Sequence, residues 1–312
     1  MPSSRHLKSK IKSVRNIKQI TKAVQMVSAT KMRRSQEVAL NARPYAKKSF
    51  ILLSHLLKYS ETDEKTVFLW QKNKNKKCAL IVITSDKGLA GNFNSSSLRS
   101  AWQWKNTKEE EGFEVDIVTV GKKARDFFRT KNSNIVAEFA NLGDLVSFED
   151  TKNLSHWVLD NFKNNEYGSI FVCSNQFISA LLQKVGIHQV LPLDKDELQK
   201  TIDGIVPKTG KYSEIKEEAH KEENNLSYLL EPAREEIMGN LSENLIRIMI
   251  MHFIFESNAS EHSARMLAMK NATENAGRLQ EELTLKLNKA RQAGITQELT
   301  EIATAKEALT NN

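Results

Sequence analysis

The chain has 312 residues, 40% of them hydrophobic, with 46 Lys and Arg against 38 Asp and Glu and a formal net charge of +8 at pH 7. That is enough apolar material for a sizeable core, which excludes a disordered chain, and no run approaches the roughly 18 consecutive apolar residues of a membrane helix. Only 12 Gly, 5 Pro and 2 Cys occur, so long helices are favoured, and Cys78 and Cys173, set in apolar runs without metal-ligand spacing, read as buried reduced thiols.

Residues 1–48 hold thirteen Lys or Arg and one acid, Glu37. An excess this concentrated implies an acidic partner, which could be protein, nucleic acid or lipid headgroups. Within the same stretch Leu7, Ile11, Val14, Ile17, Ile20, Val24 and Val27 recur at steps of three and four. The spacing predicts a helix with a coiled-coil seam, running to about Lys58 with a bend near Pro44, roughly 75 Å long at about 1.5 Å per residue. The first residues, MPSSRHLKSKIKSVRN, are basic but lack the apolar centre of a secretory signal.

The polar stretches ETDEK (61–65) and QKNKNKK (71–77) mark a boundary, after which the period changes. CALIVIT (78–84), VDIVTV (115–120), SIFVCS (169–174) and QVLPL (189–193) are short β-branched runs, separated by helical stretches such as GKKARDFFRT and TKNLSHWVLDNFK. They predict a small βαβ, Rossmann-like domain with a mostly parallel sheet. A charged excursion follows at 208–225, and from about Pro232 a helical pattern runs to the end through Ile237, Leu241, Leu245, Met269, Ala276, Leu283 and Leu287. The expected organisation is a helix over 1–60, a globular domain over 75–207, the excursion over 208–230 and a second helix over 231–312. The fold class is α/β, a long antiparallel coiled coil of the terminal helices with the βαβ domain inserted between them.

If those helices pair, the first, of about 50 residues, covers only the first two-thirds of the second, of about 75. The last stretch, ITQELTEIATAKEAL (295–309), carries Ile295, Leu299, Ile302 and Leu309 on one seam just where the intramolecular partner runs out. A single helix of that size is marginal in water, so another molecule is expected to enclose it.

Five ordered stretches carry a resemblance: KIKSVRNIKQITKAVQMVSATKMRRSQ (10–36) with NARPYA (41–46), ITSDKGLAGNFN (83–94), YLLEP (228–232), FESNASEHSARMLAMKNATENAG (255–277) and LNKARQAGITQELTEI (287–302). On these the chain resembles the γ subunit of F-type ATP synthases over nearly its whole length. It departs from the family's usual pattern at Ala90, Asn92, Ala303, Ala305 and Lys306. The resemblance implies a non-catalytic central rotor shaft without transmembrane insertion or cofactor; the lack of a presequence points to a peripheral place on the cytoplasmic side of a bacterial inner membrane, with an organellar protein left open. Its implied partners are the alpha and beta subunits as a hexamer around the shaft, the epsilon and delta subunits, and the membrane c-ring. The residues agree in having no GxxxxGK[ST] and no evident nucleophile, base and orienter set.

By the same resemblance, Met26 stands beside the levers of the catalytic subunits, although a Met in a helical seam is also ordinary core filler. Lys22, Lys31, Arg33 and Arg34 are candidates to meet acidic lever tips, and Arg265 to contact the other helix or a catalytic subunit. Arg291 and Gln292 match positions that face a catalytic-subunit loop, where the guanidinium fork suits carboxylates. Thr296 and Glu298 are candidates there too, with an i,i+3 or i,i+4 pair within the helix as the alternative. Ser85, Asp86, Gly88, Gly91 and Asn94 follow the first strand, where α/β folds bind ligands, but their spacing fits no phosphate fingerprint and turn chemistry is the expectation. From the basic segment alone a nucleic-acid-binding coiled coil stays open, with few aromatics there to support it; a small βαβ enzyme with helical extensions is the third reading.

Overall fold

The structure is a computed structural model that describes residues 4–58, 68–71, 73, 75–141, 148–194 and 234–310. In chain order these form α1 (Ser4–Lys58), a 3₁₀ turn (Phe68–Trp70), β1 (Lys77–Ile83), α2 (Phe93–Glu110), β2 (Glu114–Val120), α3 (Lys122–Thr130), β3 (Ile135–Phe139), α4 (Phe148–Lys163), β4 (Ser169–Phe177), β5 (Gln183–Leu191) and α5 (Arg234–Thr310). The expected excursion at 208–230 lies outside the described residues. Two compact units are distinguished, one of Met1–Val27 with Met266–Asn312 and one of Ser28–Arg265.

The larger unit is built on a sheet ordered β3-β2-β1-β4-β5. The first four strands are parallel, and β5 is antiparallel because the short turn after Phe177 closes a hairpin and leaves no room for a crossover. Cys78, Leu80 and Val82 of β1 pack beneath Leu98, Ala101, Ala124 and Phe128 of α2 and α3. Ala79, Ile81 and Ile83 pack on the other face with Leu154, Val158 and Phe162 of α4 and Leu245, Met249 and Phe253 of α5. Burial on both faces is why β1 reads as a continuous apolar run. The sequence reading missed β3, whose half-exposed IVAEF edge alternates weakly, and began β5 too late, because Lys184, Gly186 and His188 interrupt its apolar pattern.

One carboxylate is buried in this core. Asp116 of β2, 1% exposed, accepts hydrogen bonds from Tyr167 Oη at 2.9 Å and Asn134 Nδ2 at 2.6 Å, and pairs with Lys77 Nζ at 3.1 Å. Its oxygens are therefore satisfied, as a buried charge requires. Burial, with the Asp116 hydrogen bond adding to it, raises the Tyr167 phenol well above its ordinary range. The Asp116 hydrogen bond likewise raises Lys77.

Gly121 joins β2 to α3 at φ 94°, and a Cβ there would lie 2.2 Å from the Thr84 carbonyl oxygen. Gly121→Ala therefore meets both a left-handed backbone and rigid main chain. The expected cost is about 2–4 kcal/mol, read as a lower urea midpoint at unchanged slope. An unchanged midpoint would contradict the close approach.

In the smaller unit the two helices run antiparallel. Thr273 Oγ1 donates to Thr21 Oγ1 at 2.7 Å, and the Lys18 ammonium lies beside Gly277, so one helix descends as the other rises. The seam differs from the expected one. Leu7 and Thr21 are buried and Ile11, Val14 and Val24 half-buried, while Ile17, Ile20 and Val27 are 51%, 61% and 53% exposed. On the partner helix Met269, Ala276 and Leu283 are buried and Leu279 faces out. The small Thr21, Ala276 and Gly277 at the crossing let the backbones approach, and the 3.5-residue seam through Leu7, Val14 and Thr21 turns Ile17 and Ile20 outward. The helix of α1 also runs unbroken through Pro44.

Candidate partner-binding surface

Met26 and Val27 are exposed on the same turn of α1. Lys22 is exposed one turn earlier, where its Nζ donates to Gln25 Oε1 at 3.4 Å. Val27 shares a face with the exposed Ile17 and Ile20, whereas Met26 and Lys22 stand on a different flank of the helix. In the larger unit Arg33 and Arg34 are exposed and Lys31 is half-buried, with the buried Met32 and Ser35 around them. Both guanidinium groups are open to solvent, so neither carries a burial cost.

The end of α5 is apolar and uncovered within its unit. From Arg291 to Lys306 every side chain is exposed, and Ile295, Leu299 and Ile302 stand 49%, 62% and 66% open. Thr296 Oγ1 donates to Gln292 O at 3.0 Å, Thr300 to Thr296 O and Thr304 to Thr300 O, so these hydroxyls bond back along the helix. Arg291, Gln292 and Glu298 remain exposed beside this seam. A periodic apolar stripe left open among the described residues has the form of a helix face that docks against a partner.

Arg265 sits differently from the other candidates. It is 8% exposed, donates through Nε and Nη2 to Gly88 O at 3.3 and 3.2 Å and through Nη2 to Lys87 O at 3.5 Å, and pairs with Glu261 at 2.6 Å. Ala264 beside it packs on Ala90 and Phe93. The guanidinium thus fastens the 85–91 loop to α5. At the loop's tip Leu89 is held at φ 63° and is 72% exposed.

That loop also fills the crevice at the carboxyl end of β1, where doubly wound folds bind phosphates. Asp86 accepts hydrogen bonds from the Lys122 and Asn141 backbone N–H groups at 2.9 and 3.0 Å, and Thr84 Oγ1 accepts from the Ala124 N–H at 2.8 Å. Ser85 Oγ is closed against Asn94 and the Lys87 carbonyl. The first-turn donors of α3 that a phosphate would need are therefore taken by this chain's own oxygens. The cavity left between Thr84, Asp86, Asn141, Asn258 and Glu261 is about 30 Å³, room for one water molecule or two. Burial pushes the Cys78 and Cys173 thiols up to about 11 and about 12, which leaves neither a nucleophile at neutral pH. Among the described residues no cluster of three His, Cys, Asp or Glu could hold a metal ion, and no helix is long and apolar enough to cross a membrane.

Sequence reasoning missed the bonds made by Asp86 and Arg265. The available signals were a carboxylate just after a strand, and an i,i+4 Glu–Arg pair on an otherwise apolar helix face.

These features define a class: a protein with a unit of paired antiparallel helices and a doubly wound unit whose ligand crevice is filled by its own loop. The comparisons agree with it. The family model described as "ATP synthase" matches residues 3–309. The "ATP synthase gamma chain" of Roseiflexus sp. (strain RS-1) is 36% identical over 309 residues, covering 99% of each chain, and that of Chloroflexus aurantiacus is 36% identical over 312 residues, covering 100% of each. A chain of the Euglena gracilis mitochondrial ATP synthase, in a structure described as OSCP/F1/c-ring in rotational state 3, aligns with a TM-score of 0.63 at 20% identity. It covers 98% of this chain and 94% of its own, and shows the shared fold. The chain belongs to the ATP synthase gamma chain family.

Proposed function

We propose that this chain is the central shaft of an F-type ATP synthase, turned by an ion-driven membrane ring and forcing the catalytic subunits through their conformations. The observation that carries this reading is the uncovered apolar end of α5, with Ile295, Leu299 and Ile302 exposed, on a chain related over its full length to ATP synthase gamma chains. The shaft itself does no chemistry, and the self-filled crevice after β1 supports that part. Met26, Lys22, Lys31, Arg33 and Arg34 on α1, and Arg291, Gln292, Thr296 and Glu298 on α5, are the surfaces offered to the alpha and beta subunits, whereas Arg265 reaches a partner through the loop it holds. Solvated charges on α1 suit a surface that must pass one subunit after another, because loose screened contacts make no deep detent. The epsilon and delta subunits and the c-ring complete the set of partners, and the complex lies peripherally on the cytoplasmic side of the membrane.

The deciding experiment is recovery of the tagged full chain from membranes of its own source, with mass spectrometry and an ATPase assay of the eluate. Nucleotide-binding subunits in several-fold excess, together with ATPase activity, support the shaft. A chain recovered with nucleic acid supports the basic-helix alternative.

Removing residues 295–312 is expected to weaken the hold of the assembly on the shaft while leaving the cooperative melt of the larger unit unchanged, since Ile295, Leu299 and Ile302 belong to the smaller unit. Loss of that melt would show that the two units are not independent.

A further inference from the structure

A group of titratable side chains, His252 buried and Glu256 and His188 partly buried, lies where α5 crosses the β4-β5 hairpin, away from the surfaces above. His252 and Glu256 stand one turn apart on α5 with Nε2 and Oε2 3.5 Å from each other and side chains 6% and 12% exposed. From β5, His188 stacks on Phe253 with centroids 5.4 Å apart and planes at 20°, and its Nε2 lies 2.9 Å from Gln176 Nε2 of β4. Its ring lies over Gly186, where a Cβ would come within 2.5 Å of Nε2, so the glycine makes the space for it. The Phe177 backbone N–H donates to Glu256, and Ser260 Oγ donates to Asn175 O at 3.3 Å.

Other charged groups on these elements stand farther along them. Lys184 of β5 is exposed. Glu261 and Arg265 pair with each other beyond Glu256, with the buried His262 beside them, and Glu243 and Arg247 pair a turn before His252. β4 carries no charged side chain.

We propose that Glu256, with His252 and His188, is a proton-linked latch, fastening α5 to the β4-β5 hairpin while Glu256 carries its proton and releasing it when that proton passes to solvent. A neutral carboxylic acid beside a neutral imidazole is tolerated in an apolar interface; a carboxylate there draws in water or leaves.

The pH window follows from the environment of each group. Burial raises Glu256 from 4.5 to about 8, offset in part by the Phe177 N–H, and burial together with His188 lowers His252 from 6.5 to about 4. Between 4.5 and 6.5 the folded chain keeps the Glu256 proton that the unfolded chain has lost, and lacks a His252 proton that the unfolded chain holds, so the two effects oppose. Between 6.5 and about 8 only Glu256 contributes. There the folded chain binds the extra proton, and stability falls as pH rises until Glu256 ionises.

The test is hydrogen exchange by mass spectrometry on the full chain, corrected for the intrinsic pH dependence of exchange, following peptides over 169–191 and 246–262. Protection is expected to fall about tenfold per pH unit between 6.5 and 8. Glu256→Gln, which keeps the shape and cannot ionise, is expected to hold protection level across the same range. A wild type whose corrected protection stays flat overturns the latch, as does a Gln variant that keeps the decline. Should the Gln variant not fold, the wild-type profile and the infrared band of a protonated carboxyl decide the matter: the band must be present at pH 7 and vanish above about 8, and its absence at pH 7 overturns the proposal.

Discussion

Arg265→Ala is expected to cost the larger unit about 3 kcal/mol and to set the 85–91 loop loose, within the range for breaking a nearly buried ion pair. Two effects combine. The truncation takes the guanidinium from Glu261, whose side chain is 13% exposed, and it strips the donors from the Lys87 and Gly88 carbonyls. Lys87 is exposed, so trypsin reads the loop directly, and cleavage after Lys87 should accelerate well beyond what global unfolding explains. Arg265→Lys should restore the pairing with Glu261 but not the fork across two carbonyls, giving an intermediate cleavage rate. Equal rates in all three proteins would mean that the loop keeps its shape without the arginine. The functional consequence concerns Leu89: an apolar side chain 72% exposed at a left-handed position is presented in one place only while the loop is held.

Asp116→Ala should be as damaging, about 3 kcal/mol or more, with no effect on the exposed ends of the helices. The substitution leaves the Tyr167 hydroxyl, on a residue 4% exposed, without its acceptor, and removes the anion between Lys77 and Asn134. Lys77 suffers least, because its side chain is 30% exposed and water replaces the carboxylate. Asp116→Asn keeps a carbonyl acceptor for Tyr167 and should cost clearly less than Ala. The comparison is made by urea unfolding of the three proteins, and a Asn variant as unstable as Ala would place the energy in the charge on Lys77 rather than in the buried hydrogen bonds.

Most of the architecture was legible in the residues because the signals are local. The three- and four-residue spacing in α1 and α5, and the runs CALIVIT, VDIVTV and SIFVCS, mark helix and strand without reference to anything distant. β3 and β5 were read poorly for the same reason. At an edge, or beneath a helix that supplies histidine neighbours, IVAEF and QKVGIHQVL lack the apolar pattern of a central strand, and their pairing with β2 and β4 comes from the rest of the sheet.

For the surface, the amino-acid order alone determined which residue types are available: a basic first helix, a periodic apolar stripe over 295–309, and no phosphate-binding or nucleophilic motif. Only the tertiary structure decided which of them face out. Ile17, Ile20 and Val27 fit the seam by spacing, yet the close crossing at Thr21, Thr273 and Gly277 chose a register that turns them to solvent. By sequence Arg265 is a candidate contact to the other helix or to a catalytic subunit, and in the fold it is spent on two carbonyls almost 180 positions earlier in the chain. Periodicity records which side chains share a face of one helix, whereas the choice between facing a partner helix, the sheet or solvent depends on contacts between residues far apart in sequence.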